Sequence, residues 1–187
     1  MKASQGTAQQ DTASVEDVER YEVIEGVRAE REPMGAFETV LASWLCHLIN
    51  TFAVGRKLGL AVNEVLFILD VHRDLRRRPD VAWVSYARWP EPVVARTAAW
   101  NVIPDVAVEI VSPTHLAEEI DNKITDYFQA GVRLVWVFYP DSGRVYVYQS
   151  PTQVTVSERT DTFDGGEVLP GFRLPIAQLY EAVTKPE

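Results

Sequence analysis

Two stretches decide the fold: Arg78-Pro-Asp-Val-Ala-Trp-Val-Ser85 and Asp105-Val-Ala-Val-Glu-Ile-Val-Ser112. Each is a short, nearly continuous apolar run bounded by proline or polar residues, which is the pattern of a buried strand. Each also carries carboxylates. A charge in a buried strand is costly unless it is paired or binds a metal. Asp80 and Glu109 therefore need a partner, and a divalent cation is one that fits.

Side chains alternate faces along a strand, so Asp105, Ala107 and Glu109 share one face. If the two stretches pair antiparallel, the start of one meets the end of the other. Asp80 opens its strand and Glu109 nearly closes the next, so these two approach each other. Asp105 falls at the far end and reads as a strand-entry residue.

Working outward, a helix is expected from Ser112-Pro113, with Ser112 as N-cap and Pro113 at the first helical position. It runs to about Ala130 and stops at Gly131. Leu116, Ile120, Ile124 and Tyr127 mark its apolar stripe, and Lys123 lies on that stripe. A lysine facing the core needs a partner, and Glu109 is the candidate. A lysine snorkelling to the rim, or a simple structural pair, is the alternative.

Upstream, Ala36 to Val54 is a helix with apolar residues at helical spacing, ended by Gly55. Glu38 falls on the edge of its apolar arc. Either it faces a site or it complements the positive helix N-terminus. Tyr21 to Glu30 reads as a hairpin of two short strands. Leu60 to Leu69 reads as one strand. His72 to Arg78 is a polar loop whose Arg76, Arg77 and Arg78 either grip phosphate or form a solvated turn. Tyr86 to Pro104 is a long connection carrying Trp89 and Trp100, which either pack on the domain or serve a base or a subunit interface. Downstream come strands over Arg133–Tyr139, Arg144–Gln149 and Thr152–Glu158, a loop at Gly165–Gly171, and a terminal helix over Pro175–Val183.

The order is helix, three strands, helix, strand. That is an α/β fold with a mixed sheet flanked by helices, plus an N-terminal β-hairpin. Residues 1–18, polar and rich in Gln, Thr and Ser, read as a flexible tail, and 19–187 as one domain. The 187 residues suit this division, and the 47% hydrophobic and 24% charged content is that of a globular chain. The lone Cys46 forms no internal disulfide and points to a reducing, cytoplasmic setting. No signal peptide is read at the N-terminus, and no apolar run approaches the about 20 residues that span a membrane. The formal net charge of -9 argues against a broad basic nucleic-acid-binding face. It leaves room for a local site with acidic metal ligands. His47, His72 and His115 show no zinc-ligand spacing. There is no glycine-rich phosphate loop and no G-x-S-x-G elbow.

Two carboxylates and a lysine at a sheet edge suit metal-assisted phosphodiester hydrolysis, with hard oxygens for Mg²⁺ or Mn²⁺. The chain also resembles a known family. The segments Arg-Arg-Pro-Asp-Val-Ala-Trp-Val, Pro-Asp-Val-Ala-Val-Glu-Ile-Val-Ser-Pro-Thr, Asp-Asn-Lys, Ala-Gly-Val-Arg, Val-Trp-Val and Gly-Gly-Glu-Val-Leu-Pro-Gly-Phe are similar to those of the Uma2 family, formerly DUF820. That family lies in the restriction-endonuclease-like PD-(D/E)XK superfamily, and the likeness spans about residues 20 to 182. The resemblance implies a restriction-endonuclease-like αβββαβ core and endonuclease activity on nucleic acid, with DNA the expected substrate. It implies that Asp80 and Glu109 are the two acidic motif residues, and that Glu38 matches a first-helix glutamate. The motif places lysine two residues after Glu109, where this chain has Val111; the resemblance implies that Lys123 takes over. Phe37 stands where many members have histidine. A homodimer is expected, since the long Trp-bearing loop and the apolar hairpin offer an interface and such nucleases often act on both strands. The alternative is a nuclease-fold binding module without activity, which the acidic charge favours.

Overall fold

The computed structural model describes residues 20–90, 93–94, 96–112, 116–181 and 183. The tail read over residues 1–18 lies outside them, as do Pro113 and His115.

The chain opens with the expected hairpin, β1 (Tyr21–Ile24) and β2 (Val27–Glu30). Glu25 and Gly26 turn it with φ of 51° and 76°. Next comes α1 (Ala36–Ala53), whose Leu41, Leu45 and Ile49 are buried at helical spacing. Asn50 on α1 exchanges hydrogen bonds of 2.8 and 2.9 Å with the backbone of Ala61. This fixes the helix to β3 (Gly59–Asn63). Gly59 is needed where β3 lies against its neighbouring strand, because a Cβ there would lie 2.2 Å from the Val84 carbonyl oxygen.

Here the structure departs from the sequence reading. Leu60 to Leu69 is two strands in two sheets. The backbone bends at Glu64, with φ 53°, and β4 (Phe67–Asp70) joins the second sheet, to which β1 and β2 belong. The arginine run is also not a loop: β5 (Leu75–Arg77) is a strand paired with both β1 and β4. Then come β6 (Val81–Ser85) and β7 (Val106–Ile110). The helix α2 (Ala117–Ala130) begins at Leu116 rather than at Ser112. Its start carries Glu118 and Glu119, which suit the positive end of the helix dipole. It stops at Gly131 with φ 96°, a left-handed cap that glycine adopts without penalty.

After α2 follow β8 (Leu134–Tyr139), β9 (Arg144–Ser150), β10 (Gln153–Ser157), a small ladder of β11 (Thr162–Asp164) with β12 (Arg173–Pro175), and α3 (Ile176–Glu181). The small ladder was not anticipated. The main sheet runs β10-β9-β8-β7-β6-β3, and the second β2-β1-β5-β4. In the main sheet β3, β6 and β7 are antiparallel, and α2 returns the chain so that β8 lies parallel to β7. This is the mixed α/β architecture expected. One face of the sheet packs on α1 through Val81, Trp83, Val106, Val108 and Ile110. The opposite face packs on α2 through Ala82, Ala107, Val135 and Val137.

The two tryptophans of the long connection pack against the domain. Trp100 stacks on Phe67 with centroids 5.6 Å apart and meets Trp89 edge-on at 5.1 Å. At the far edge of the main sheet, β10 is exposed and carries Val154 and Val156 at the surface. No described helix is long and apolar enough to cross a membrane.

Candidate active site

Register and face parity bring Asp80 and Glu109 together. Val81 pairs with Val108 across β6 and β7, so Asp80, one residue earlier, stands beside Glu109. Both share the parity of Ala82 and Ala107, and so lie on the α2 face. The Asp80 amide donates to the Val108 carbonyl at 3.0 Å. Asp80 Oδ2 accepts the Ile110 amide at 2.6 Å, a buried charge-assisted bond that orients the carboxylate. Asp105 sits at the other end of the ladder. It accepts the Ser85 amide at 2.8 Å and pairs with Arg88 at 3.1 Å and Arg133 at 3.5 Å. It anchors the strand ends.

From α2, Lys123 and Tyr127 project one turn apart onto the same carboxylate. Lys123 Nζ donates to Glu109 Oε2 at 2.9 Å, and the Tyr127 hydroxyl donates to Glu109 Oε1. Asp80, Glu109 and Lys123 are each 0% exposed. Charges so buried require compensation, and geometry supplies it. Burial pulls the Lys123 ammonium down, but the carboxylates of Glu109 and Glu22 together outweigh this and hold it above its ordinary value. Burial pushes Glu109 up, yet Lys123 and then Arg31 outweigh it and hold it low. Asp80 goes the other way: burial and the charge on Glu109 push it up. Two carboxylates side by side thus have split protonation behaviour.

Two further residues of the site were not singled out from the sequence. Arg31, between β2 and α1, places Nη2 3.1 Å from Asp80 Oδ1 and 3.9 Å from Glu109 Oε2. Glu22 of β1 is buried, with Oε1 3.9 Å from Lys123 Nζ. Both arrive through the pairing of β1 with β5, a long-range contact that no local pattern announces. The one available signal was Glu22 inside an otherwise apolar strand start.

Other expected site residues are placed differently. Arg77 is buried and engaged: it donates to Asp126 Oδ2 at 2.9 and 2.6 Å and to Glu22 Oε2 at 2.8 Å. Arg78 donates its backbone N–H to Glu22 at 2.9 Å, and its guanidinium to the carbonyls of Tyr21 and Glu64. These two arginines hold the second sheet to the site instead of facing phosphate. Arg76 pairs with Asp74 at 2.7 Å and is 33% exposed. Glu38 folds its carboxylate back over Gly35, since a Cβ at Gly35 would meet Oε2 at 2.3 Å. It stands at the start of α1, on the sheet face opposite Glu109. The reading as charge placement at a helix N-terminus accounts for it.

The donor set fits a hard divalent cation. Two adjacent carboxylates offer oxygens that each still have a lone pair, and a guanidinium shared between them marks the place as one that stabilises positive charge. Among the described residues no group of three or more His, Cys, Asp or Glu side chains is arranged to hold a metal. Mg²⁺ does not require one, because it is commonly held by one or two carboxylates with water and substrate phosphate.

Residues 9–177 match the model of the Uma2 family, described as "Putative restriction endonuclease". The chain belongs to the Uma2 family. A crystal structure from Anabaena variabilis ATCC 29413, titled as a putative nuclease belonging to DUF820, superposes on this Uma2 chain with a TM-score of 0.76. The two are 20% identical, and the match covers 88% of this chain and 91% of that one. At that identity the likeness establishes the shared fold. No curated protein matches the Uma2 chain.

Proposed function

We propose that the chain is a metal-dependent endonuclease that hydrolyses phosphodiester bonds in DNA. The observation that carries this reading is the buried pair Asp80 and Glu109 with Lys123 Nζ 2.9 Å from Glu109, in a chain of a family described as "Putative restriction endonuclease". Asp80 and Glu109 would hold Mg²⁺, with Mn²⁺ as a substitute. Such a cation, when bound, polarises the phosphate and makes a bound water more acidic. Lys123 stays protonated in its pair with Glu109. It therefore serves as a fixed positive charge that steers the attacking water and offsets negative charge on the phosphate. Tyr127 holds Glu109 in orientation. Of the arginine run, Arg76 is the one left for phosphate contact.

One observation favours a second reading, a nuclease-fold binding module without hydrolysis. Both carboxylates are fully buried and already paired with cations. Plasmid nicking with Mg²⁺ or Mn²⁺ separates the two. The endonuclease reading expects metal-dependent nicking by the wild type, lost in Glu109→Ala and Lys123→Ala. No cleavage of any nucleic acid by the wild type would leave the binding module.

A further inference from the structure

Arg31 is placed as an ion would be. It stands at the start of the segment 31–35, which has no regular structure and links β2 to α1. Its Nη2 is shared between Asp80 Oδ1 and Glu109 Oε2, at 3.1 and 3.9 Å. Its Nη1 donates to the Arg78 carbonyl and lies 4.0 Å from Glu64 Oε1. The side chain is 9% exposed, while the two carboxylates are 0% exposed. Arg31 is therefore the layer between those carboxylates and solvent.

Adjacent anions in a fully buried site repel strongly. Lys123 relieves Glu109 from the helix side, at 2.9 Å. The contact with Asp80 is left to Arg31, whose planar fork reaches two acceptors at once. The arm can also move. The strand before it, β2, is the outer strand of the second sheet and is largely exposed. Its backbone N–H is held by the Arg20 carbonyl at 2.9 Å, so the long side chain can swing out by rotamer changes alone, with the backbone in place.

We propose that Arg31 is a displaceable counter-cation: it occupies the place of the metal in the unloaded protein and swings out before a divalent cation binds. The inference rests on the reading of Asp80 and Glu109 as metal ligands. Metal affinity is then the intrinsic affinity of the carboxylate pair, reduced by the free energy of evicting Arg31.

Calorimetric titration of the full chain with MnCl₂, without nucleic acid, tests this. Arg31→Met keeps the length of the arm and removes its charge. It is expected to bind Mn²⁺ at least about tenfold more tightly than the wild type, the shift that a modest eviction cost implies. Asp80→Asn in the Arg31→Met background is expected to abolish that gain. Equal affinity in wild type and Arg31→Met would overturn the inference while leaving the metal site in place. So would loss of binding in an Arg31→Met chain that circular dichroism shows to be folded, since Arg31 would then be positioning the ligands. Absence of Mn²⁺ binding in both chains would overturn the inference together with the metal-dependent reading. If Arg31→Met does not fold, Arg31→Lys replaces it. Its single ammonium cannot span both carboxylates, and tighter Mn²⁺ binding is again expected; an unchanged affinity would overturn the inference.

Discussion

Ile110 donates its backbone N–H to Asp80 Oδ2 at 2.6 Å, across the same strand pair that sets Asp80 beside Glu109. The bond favours the carboxylate, yet burial and the Glu109 charge outweigh it and push Asp80 up to about 7. A folded-state value above the unfolded one, near ~3.9, gives stability that is complete below the unfolded value and is lost as pH rises through the folded one. Without metal, the wild type is expected to lose thermal stability relative to Asp80→Asn as pH rises from about 4 to about 7. Melting curves of both chains across that range check this. Parallel pH profiles would show that Asp80 does not titrate in the window.

Lys123 and Glu109 are a buried pair, so breaking it from one side strands a charge. Lys123→Met is expected to destabilise the fold by about 3–5 kcal/mol. Glu109→Gln combined with Lys123→Met should be more stable than Lys123→Met alone, because the stranded charge is gone. Urea denaturation of the singles and the double closes the cycle. Additive effects would mean the pair is not coupled.

Arg77 and Arg76 are sequence neighbours with opposite expectations. Arg77→Met leaves Glu22 and Asp126 facing a buried apolar arm, and is expected to cost about 3–5 kcal/mol. Arg76→Met removes a surface pair with Asp74 and is expected to cost ~0–1 kcal/mol. Denaturant midpoints of the two variants test the contrast, which depends on the strand assignment of β5.

Glu38→Ala removes a charge from the first turn of α1 and nothing from the carboxylate pair. It is expected to cost about 0.3–1 kcal/mol of stability and to leave metal-dependent nicking at the wild-type level. A loss of nicking comparable to that of Glu109→Ala would return Glu38 to the site.

The parts of the molecule legible in the sequence are those set by local pattern plus one pairing. Face alternation in β7 and one antiparallel register suffice to join Asp80 to Glu109. Helical spacing alone puts Lys123 on the buried stripe of α2. The misread parts depend on distant partners. The arginine run looks like a loop because its charges have no partner nearby in sequence, and only Glu22 and Asp126, far along the chain, make a strand of it. Leu60 to Leu69 looks continuous because both halves are apolar; the left-handed Glu64 that splits them is marked only by the polar pair Asn63-Glu64. Arg31 follows an exposed strand and carries no periodic signal at all. Its place beside Asp80 comes from where the hairpin docks.

The outer edge of β10 has a consequence for handling the protein. Gln153 to Ser157 holds no charge and no proline, and Val154 and Val156 are exposed at 42% and 45%. Natural sheets usually guard such a border with lysine, proline or a bulge. Here the bulge lies at Gln153 and Val154, at the start of the strand, and the remainder is unguarded. At high concentration this border is where molecules will add strand to strand, and one lysine in place of Thr155 is the simplest way to keep concentrated samples dispersed.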